Sequence, residues 1–141
     1  MTAYPSSIKT ILPGAVIPSG NEIHNWKFQR TTWKIKQLKK DYWNLLVIDG
    51  AHQDKFKIKG KVRRKVIFTS FRSRRIDDDN LSNGFKYLRD TLTEMRLIHD
   101  DSPKYLEAEY HQEIDSKNHR VEVEIFGEFE ANVLKSSRRM I

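Results

Sequence analysis

Apolar residues recur at helical spacing over two stretches of the chain. In the clearer stretch, the apolar positions step by four, three, four and three residues along one face: Leu81, Phe85, Leu88, Leu92 and Met95. This spacing predicts a helix over Asn80–Glu94 that packs on a sheet. The other stretch predicts a helix from about Trp33 to Leu46, with a lysine-rich exposed side, that ends at Asp49-Gly50.

Gly84 lies inside the helix predicted over Asn80–Glu94. A glycine in a helix interior costs roughly 0.5–1 kcal/mol relative to alanine, because glycine loses the most backbone freedom on folding. We therefore expect Gly84 either to permit close packing against a strand or to mark a local bend.

Alternation of apolar and polar residues predicts the strands. The four expected strands lie within Ile8–Ile17, Val62–Phe71, Tyr105–Ile114 and Arg120–Phe126. The first is interrupted by Pro13 and Gly14. The last two are joined by turn residues and are predicted to form a hairpin. Between the strands, Lys55–Lys65 alternates lysine with apolar residues and is expected to be an extended ribbon with one charged face.

The charge balance points to a polyanionic partner. The 141 residues include 26 Lys and Arg against 19 Asp and Glu, which gives a net charge of +7. Such a surplus on a small domain favours nucleic acid first and an anionic membrane surface second. The alternative is a protein that is basic without a polyanionic partner.

Several classes of protein are excluded or disfavoured by what the sequence lacks. The chain has no cysteine, which excludes disulfides, thiolate zinc sites and cysteine nucleophiles. No apolar run approaches the ~18 residues of a membrane-spanning helix, and no secretory signal is expected. We expect one cytoplasmic domain over residues 1–141, with residues 1–7 and 131–141 flexible.

The candidate chemistry lies in two acidic clusters that flank the clearer helix. Asp77, Asp78 and Asp79 follow a run of arginines at the start of that helix, and Asp100-Asp101 follows its end. Carboxylates in a basic protein become useful for phosphodiester hydrolysis when they hold Mg²⁺, a cation that prefers oxygen ligands. One interpretation is therefore a metal site shared by the two clusters, which a metal-dependent nuclease would need.

A simpler interpretation of each cluster stays open. Aspartate is favoured at helix N-caps and in the first helical turn, so Asp77–Asn80 can serve only as a helix start. Lys86 and Asp90 are spaced as a surface ion pair, and Asp100-Asp101 can be part of a turn. In the other interpretation, Lys86 leans back along the face of Asp79 and stabilises charge on a phosphate.

The sequence around these clusters resembles the RusA family of Holliday junction resolvases. The matching segments are Arg75–Leu81, Lys86–Leu92 and Leu97–Asp101, within about residues 74–102. Pro18-Ser19-Gly20-Asn21 is similar to an early Pro-Ser-x-Asn segment of that family. With the predicted elements, the resemblance implies a single α/β (α+β) domain with a mixed β-sheet packed by two main helices.

The resemblance also implies an activity, often phage- or prophage-borne, in DNA recombination and repair. A homodimer would bind four-way DNA junctions and make paired symmetric cuts with Mg²⁺, or with Mn²⁺ as a substitute. The metal carboxylates would be Asp77, Asp79 and Asp101, with Asp100 able to replace Asp101, and Lys86 would complete the catalytic set. About three extra residues precede Lys86, and without that insertion Asn83 would take its position.

Basic residues in the segments before the acidic cluster are the candidate DNA contacts. They are Lys61, Arg63, Arg64, Arg72, Arg74 and Arg75. The alternative function is a non-catalytic protein that binds branched DNA through the same basic surface. In that case the aspartates are a helix cap, and DNA stays uncut when Mg²⁺ is present.

Overall fold

A four-stranded mixed sheet forms the centre of the fold in a computed structural model that describes residues 7–28, 32–49 and 56–127. Its strands are β1 (Ser7–Pro13), β2 (Arg64–Arg72), β3 (Leu106–Ile114) and β4 (Arg120–Phe126). They lie in the order β1-β4-β2-β3. β4 is antiparallel to both of its neighbours, whereas β2 and β3 are parallel. The prediction of a single α+β domain with a mixed sheet is therefore confirmed.

Four helical segments accompany the sheet in the described part of the chain. They are α1 (Gly20–Phe28), α2 (Thr32–Ile48), α3 (Asp78–Gly84) and α4 (Lys86–Glu94). The helix predicted from Trp33 to Leu46 is confirmed as α2. None of the described helices is both long and apolar enough to cross a membrane.

Helices cover one face of the sheet, so every second residue of β2 is buried. Arg64, Val66, Phe68, Ser70 and Arg72 are buried, and the residues between them are half-buried. On the covered face, the Phe68 ring lies 5.1 Å from Phe85 and 5.4 Å from Tyr110 between centroids. Burial of one such ring contributes about 1.5–3 kcal/mol. This cluster therefore ties the helix layer to β2 and β3.

The predicted hairpin of the last two strands is wrong, although both strands exist. β2 lies between β3 and β4, pairing with β3 in parallel and with β4 in antiparallel fashion. The turn residues after Ile114 instead carry the chain over the end of β2, where the Asp115 amide donates to the Arg72 carbonyl at 2.9 Å. Turn chemistry shows that the chain reverses, but core packing decides which strands become neighbours.

The predicted charged ribbon over Lys55–Lys65 is also wrong where the structure describes it. Residues 56–63 form no strand. Ile58 is buried, and its amide donates to the Arg96 carbonyl at 2.8 Å. The apolar residues of this alternation, such as Ile58, instead anchor a loop to the core. Lys55 lies outside the described residues, as do residues 1–6 and 131–141 of the two ends expected to be flexible. Ser7 was also expected to be flexible, and this is wrong, because Ser7 pairs with Phe126 as the first residue of β1.

The helix predicted over Asn80–Glu94 is present as two segments, α3 and α4, which meet at Phe85. Its predicted apolar face is confirmed, because all five of its side chains are buried: Leu81, Phe85, Leu88, Leu92 and Met95. Gly84 both marks the break and permits a close approach. A Cβ placed there would lie 2.1 Å from the Pro18 carbonyl oxygen. The partner of the close contact is therefore the loop before α1, and not a strand.

The helix α1 was missed by the sequence analysis, which predicted no helix over Gly20–Phe28. Ser19 caps it: the Ser19 hydroxyl accepts a hydrogen bond from the Glu22 amide at 3.1 Å, and its carbonyl accepts from Ile23 at 3.1 Å. Ser19 and Glu22 have the Ser-x-x-Glu spacing of a capping box, which was the available signal.

Substitution of Gly84 by alanine should destabilise the protein by about 1–3 kcal/mol, the usual cost of overpacking. The added methyl group would collide with the Pro18 carbonyl oxygen. Helix propensity alone predicts the opposite sign, a gain of roughly 0.5–1 kcal/mol. Urea denaturation measures the free energy of unfolding, with Asn83→Ala on the exposed side of the same helix as the control. A more stable Gly84→Ala variant would contradict the tight contact.

Candidate metal and nucleic-acid site

The acidic segment before α3 begins where three strands end together. β1, β2 and β3 all run in the same direction, since β4 is antiparallel to β1 and β2. The loops that follow them are joined: the Gly14 amide donates to the His119 carbonyl at 2.8 Å, and the Ser73 hydroxyl lies 2.6 Å from His119 Nε2. In open sheets, ligands bind outside the carboxyl ends of parallel strands. Asp77 follows this edge directly.

Gln112 on β3 fixes the backbone that leads into the acidic cluster. Its Oε1 accepts from the Ile76 amide at 3.0 Å, and its Nε2 donates to the Ile76 carbonyl at 2.7 Å. The Gln112 side chain is buried. Both polar groups of Ile76 are thus satisfied by one side-chain amide, and Asp77 starts from a fixed position.

The carboxylate of Asp77 is not used as a helix cap. Asp77 occupies the N-cap position with extended backbone angles (φ −61°, ψ 150°), and its carbonyl accepts from Leu81 at 2.8 Å. Its side chain makes no capping hydrogen bond. Asp77, Asp78 and Asp79 are all exposed. The simple interpretation of Asp77 as a capping side chain is therefore not realised, and three carboxylates face solvent at one helix start.

Arg89 on α4 connects the second acidic cluster to the first. Its Nη1 donates to the Ser82 carbonyl at 2.8 Å and to the Tyr110 hydroxyl at 3.0 Å. Its Nε lies 3.8 Å from Asp101 Oδ2. Asp100 accepts from the Asp101 amide at 2.7 Å. The loop that carries both aspartates is thereby held against the end of α3.

Gln112 and Arg89 were missed because their roles depend on long-range contacts. Tyr110 and Gln112 lie two residues apart on β3, so their side chains point to the same face. One face of β3 therefore positions both acidic clusters. The alternation along β3 could have placed Gln112 on a face with Tyr110, but nothing local could have identified Ile76 as its partner.

The described residues contain no group of three or more His, Asp or Glu side chains positioned to hold a metal ion together. Asp77, Asp79 and Asp101, the predicted metal carboxylates, are all exposed. Their oxygen chemistry suits Mg²⁺, which is usually held by one or two carboxylates together with water and substrate phosphates. The structure therefore does not bring Asp77, Asp79 and Asp101 together as one ready-made metal site.

Lys86 is the first residue of α4 and is half-buried. The break at Phe85 separates Lys86 from α3. Asp79 and Lys86 therefore do not lie on one face of a single helix, as one interpretation of the sequence had required. Within the described residues, no carboxylate oxygen, including those of Asp90, lies within 4.0 Å of the Lys86 ammonium group. The simple interpretation of Lys86 and Asp90 as an ion pair is not realised.

Two of the six predicted DNA contacts lie inside the fold. Arg64 Nη1 donates to the carbonyls of Phe56 at 2.8 Å and Leu97 at 2.6 Å. Arg72 donates through Nε to the Arg74 carbonyl at 2.8 Å and through Nη1 to that of Ile17 at 3.3 Å. Burial lowers the pKa of the Arg72 guanidinium, and nearby Glu22 opposes this shift. Both arginines hold loops, so we withdraw them as surface contacts.

The other four predicted contacts have accessible side chains. Lys61, Arg74 and Arg75 are exposed. Arg63 is also exposed, but its Nη1 lies 3.2 Å from Glu107 Oε1. An exposed ion pair of this kind contributes little to stability and can exchange for a phosphate contact. These four remain candidates for DNA binding.

A groove of about 420 Å³ lies away from the acidic clusters, between the end of β1 and α2. It is lined mainly by apolar and small residues, with Asp41 and Asn44 at its polar side. Tyr42 also lines it and is buried, and burial raises the pKa of the Tyr42 hydroxyl. No predicted site residue lines this groove.

Substitution of Gln112 by leucine should lower the free energy of unfolding by about 1–3 kcal/mol. The reason is that the half-buried amide and carbonyl of Ile76 would lose their hydrogen-bond partners. The amides of Asp77–Asp79 should also exchange faster, since their anchor is lost. Urea denaturation and hydrogen exchange measure the two effects. His111→Ala, at an exposed position on the same strand, is the control. Unchanged exchange in Gln112→Leu would contradict the anchoring role.

Comparison of the chain with protein-family models and with curated proteins returns no match. The resemblance to RusA resolvases therefore remains a similarity of the quoted segments, and the site is interpreted from its own geometry.

Proposed function

We propose that this protein is a Mg²⁺-dependent endonuclease that makes paired symmetric cuts in four-way DNA junctions. The observation that carries the proposal is the set of exposed carboxylates at the start of α3, where Asp77 follows a rigid anchor and makes no capping bond. Three further features support it: the net charge of +7, the loop of Asp100-Asp101 held beside α3, and the resemblance of these segments to RusA resolvases.

In this proposal Asp77 and Asp79 would hold the Mg²⁺ ion. Asp101 or Asp100 would join them only after a rearrangement, since the described residues place no three carboxylates together. When bound, such an ion supplies an activated water and polarises a phosphoryl oxygen. The protein side chains do the rest. Arg89 keeps Asp101 directed towards α3, and exposed arginines such as Arg74 and Arg75 attract the DNA backbone.

Lys86 is the proposed electrostatic partner of the reacting phosphate. Its ammonium group is not neutralised by a carboxylate within 4.0 Å among the described residues. A preorganised positive charge of this kind stabilises the charge that develops on a phosphate in the transition state. The half-buried position of Lys86 limits the solvent screening of that charge.

A homodimer is part of the proposal, because a junction with two-fold symmetry needs two nicks. A closed dimer supplies two equivalent sites related by the same symmetry. Cytoplasmic DNA of a bacterial cell or of an infecting phage would be the substrate, since the resemblance is to a family often carried by phages.

Asp79→Asn should lower cleavage of a synthetic four-way junction by about 100-fold or more, because the ion loses a charged ligand. Junction binding should be unchanged or tighter, since one negative charge is removed from the DNA surface. Cleavage with and without Mg²⁺ is followed on gels, and linear duplex of the same sequence tests for branch specificity.

Asp78→Asn is the matched control for Asp79→Asn, because it makes the same charge change in the same helical turn at an exposed position. It should retain most of the cleavage activity. Tight junction binding by the wild-type protein without any cut in Mg²⁺ or Mn²⁺ would favour the non-catalytic binding protein and reject the nuclease.

Lys86→Ala should slow junction cleavage by about 10²–10³-fold, the usual effect of removing one preorganised electrostatic contact. Asn83→Ala should slow it much less, because an amide carries no net charge. Single-turnover rates at saturating protein compare the two variants. The reverse order would show that Asn83, and not Lys86, occupies the position of the family lysine.

A further inference from the structure

A polar groove of about 210 Å³ separates α1 from the junction of α3 and α4. Its lining residues come from both sides of this gap: Gly20, Ile23, His24, Lys27, Asn83 and Lys86. One liquid water occupies about 30 Å³, so the groove has room for a phosphate group and several waters. It opens at the residue that the proposed function assigns to the reacting phosphate, Lys86.

The α1 side of the groove is one helical stripe of unusual chemistry. Gly20, Ile23, His24 and Lys27 are spaced i, i+3, i+4 and i+7, which places them on one face. A stripe that faces another helix is ordinarily apolar. Here Ile23 is buried, but His24 and Lys27 are exposed and line the gap. His24 and Lys27 are therefore the accessible, polar part of this stripe.

Two lysines line this groove, Lys27 from α1 and Lys86 from α4. Their Nζ atoms lie 6.0 Å and 5.7 Å from the centroid of the same ring, that of Tyr87. The described residues place no carboxylate oxygen within 4.0 Å of either nitrogen. Two positive charges that line one groove and are not neutralised by a carboxylate favour an anion there.

Asn83 adds neutral hydrogen-bond donors to the same groove. Its Cβ would lie 2.9 Å from a Cβ added at Gly20, so the backbones of α1 and α3 approach closely at this point. A side-chain amide can donate two hydrogen bonds to phosphate oxygens. His24, on the α1 stripe, can donate as well. Two cations and two neutral donors around one small groove match the recognition of a phosphate.

We infer that this groove binds one backbone phosphodiester of the nucleic acid, and that Lys27 is a DNA-binding residue that positions the strand at Lys86. The inference rests on the proposed function for the identity of the substrate as DNA. It adds α1 to the DNA-binding surface, which otherwise comprises residues of the basic segments before α3.

The test is the salt dependence of junction binding in EDTA, where no cleavage can occur. Each phosphate contact contributes about 0.9 to the slope of log Kobs against log salt for duplex DNA. Lys27→Gln should therefore make the slope less steep by about 0.9, and Lys27→Arg should restore it. Fluorescence anisotropy between about 50 and about 200 mM salt measures the slope.

Lys40→Gln is the matched control. Like Lys27, Lys40 is exposed on a helix, and among the described residues no carboxylate oxygen lies within 4.0 Å of its ammonium group. Its helix, α2, carries none of the predicted site residues, so Lys40→Gln should leave the slope unchanged. An equal decrease in Lys40→Gln and Lys27→Gln would show a general charge effect and overturn the groove. A lower unfolding midpoint in Lys27→Gln with an unchanged slope would reduce Lys27 to a structural role.

The two proposals fail in different measurements. A wild-type protein that cuts junctions while Lys27→Gln keeps the full slope retains its nuclease function and loses the groove. A protein that never cuts, but whose slope falls in Lys27→Gln, keeps the groove and loses the nuclease function. If Lys27→Gln weakens the binding of inorganic phosphate but leaves the salt slope of DNA binding unchanged, the groove takes free phosphate. Its assignment to DNA is then wrong.

Discussion

α1 and the loop before it touch α3 at two glycines, and both candidate sites depend on that contact. A side chain at Gly84 would run into the Pro18 carbonyl, and one at Gly20 would meet Asn83 and Asn80. At Gly84 backbone therefore meets backbone, and at Gly20 the backbone of α1 meets the side chains of α3 directly. The break at Phe85 and the polar groove both lie beside this contact. A bulkier residue at either glycine would open the gap and move α1 away from Lys86.

The second constraint is the shared face of β3, which holds two loops that are far apart in sequence. Gln112 satisfies the backbone before Asp77, and Tyr110 accepts from Arg89, which contacts Asp101. Neither interaction is strong alone, because a hydrogen bond contributes only about 0.5–1.5 kcal/mol net. Their value lies in position, because neighbouring residues on one face of β3 support the segments that carry the two acidic clusters. Carboxylates on rigid elements are better placed to share an ion than carboxylates on free loops.

The positions of α2, α3 and α4 could be predicted from the sequence because helical periods are local, whereas α1 was missed. The step of four and three residues from Leu81 to Met95 places all its members in the core. Sheet order could not be predicted in this way, since β2 reaches its place between β3 and β4 through contacts distant in sequence. The aspartates, Lys86 and the exposed arginines could be proposed from local chemistry. Their supports could not, because Gln112 and Arg89 act on residues far from them in the chain.

The net charge indicated which basic residues could contact DNA less well than their positions within a strand did. Arg64 and Arg72 share the alternation of Val66 and Phe68, so the same period that predicts β2 also places both arginines on its covered face. They lie at the two ends of this buried face, and each donates to backbone carbonyls. Their charges therefore count in the total of +7 but offer DNA no surface contact. The cations available to a phosphate backbone are those that do not bind backbone carbonyls inside the fold. Lys27 and Lys86 lie among them, in the groove at the junction of α3 and α4. Attraction for phosphate next to carboxylates that can hold a cation is the combination that metal-assisted phosphodiester hydrolysis requires.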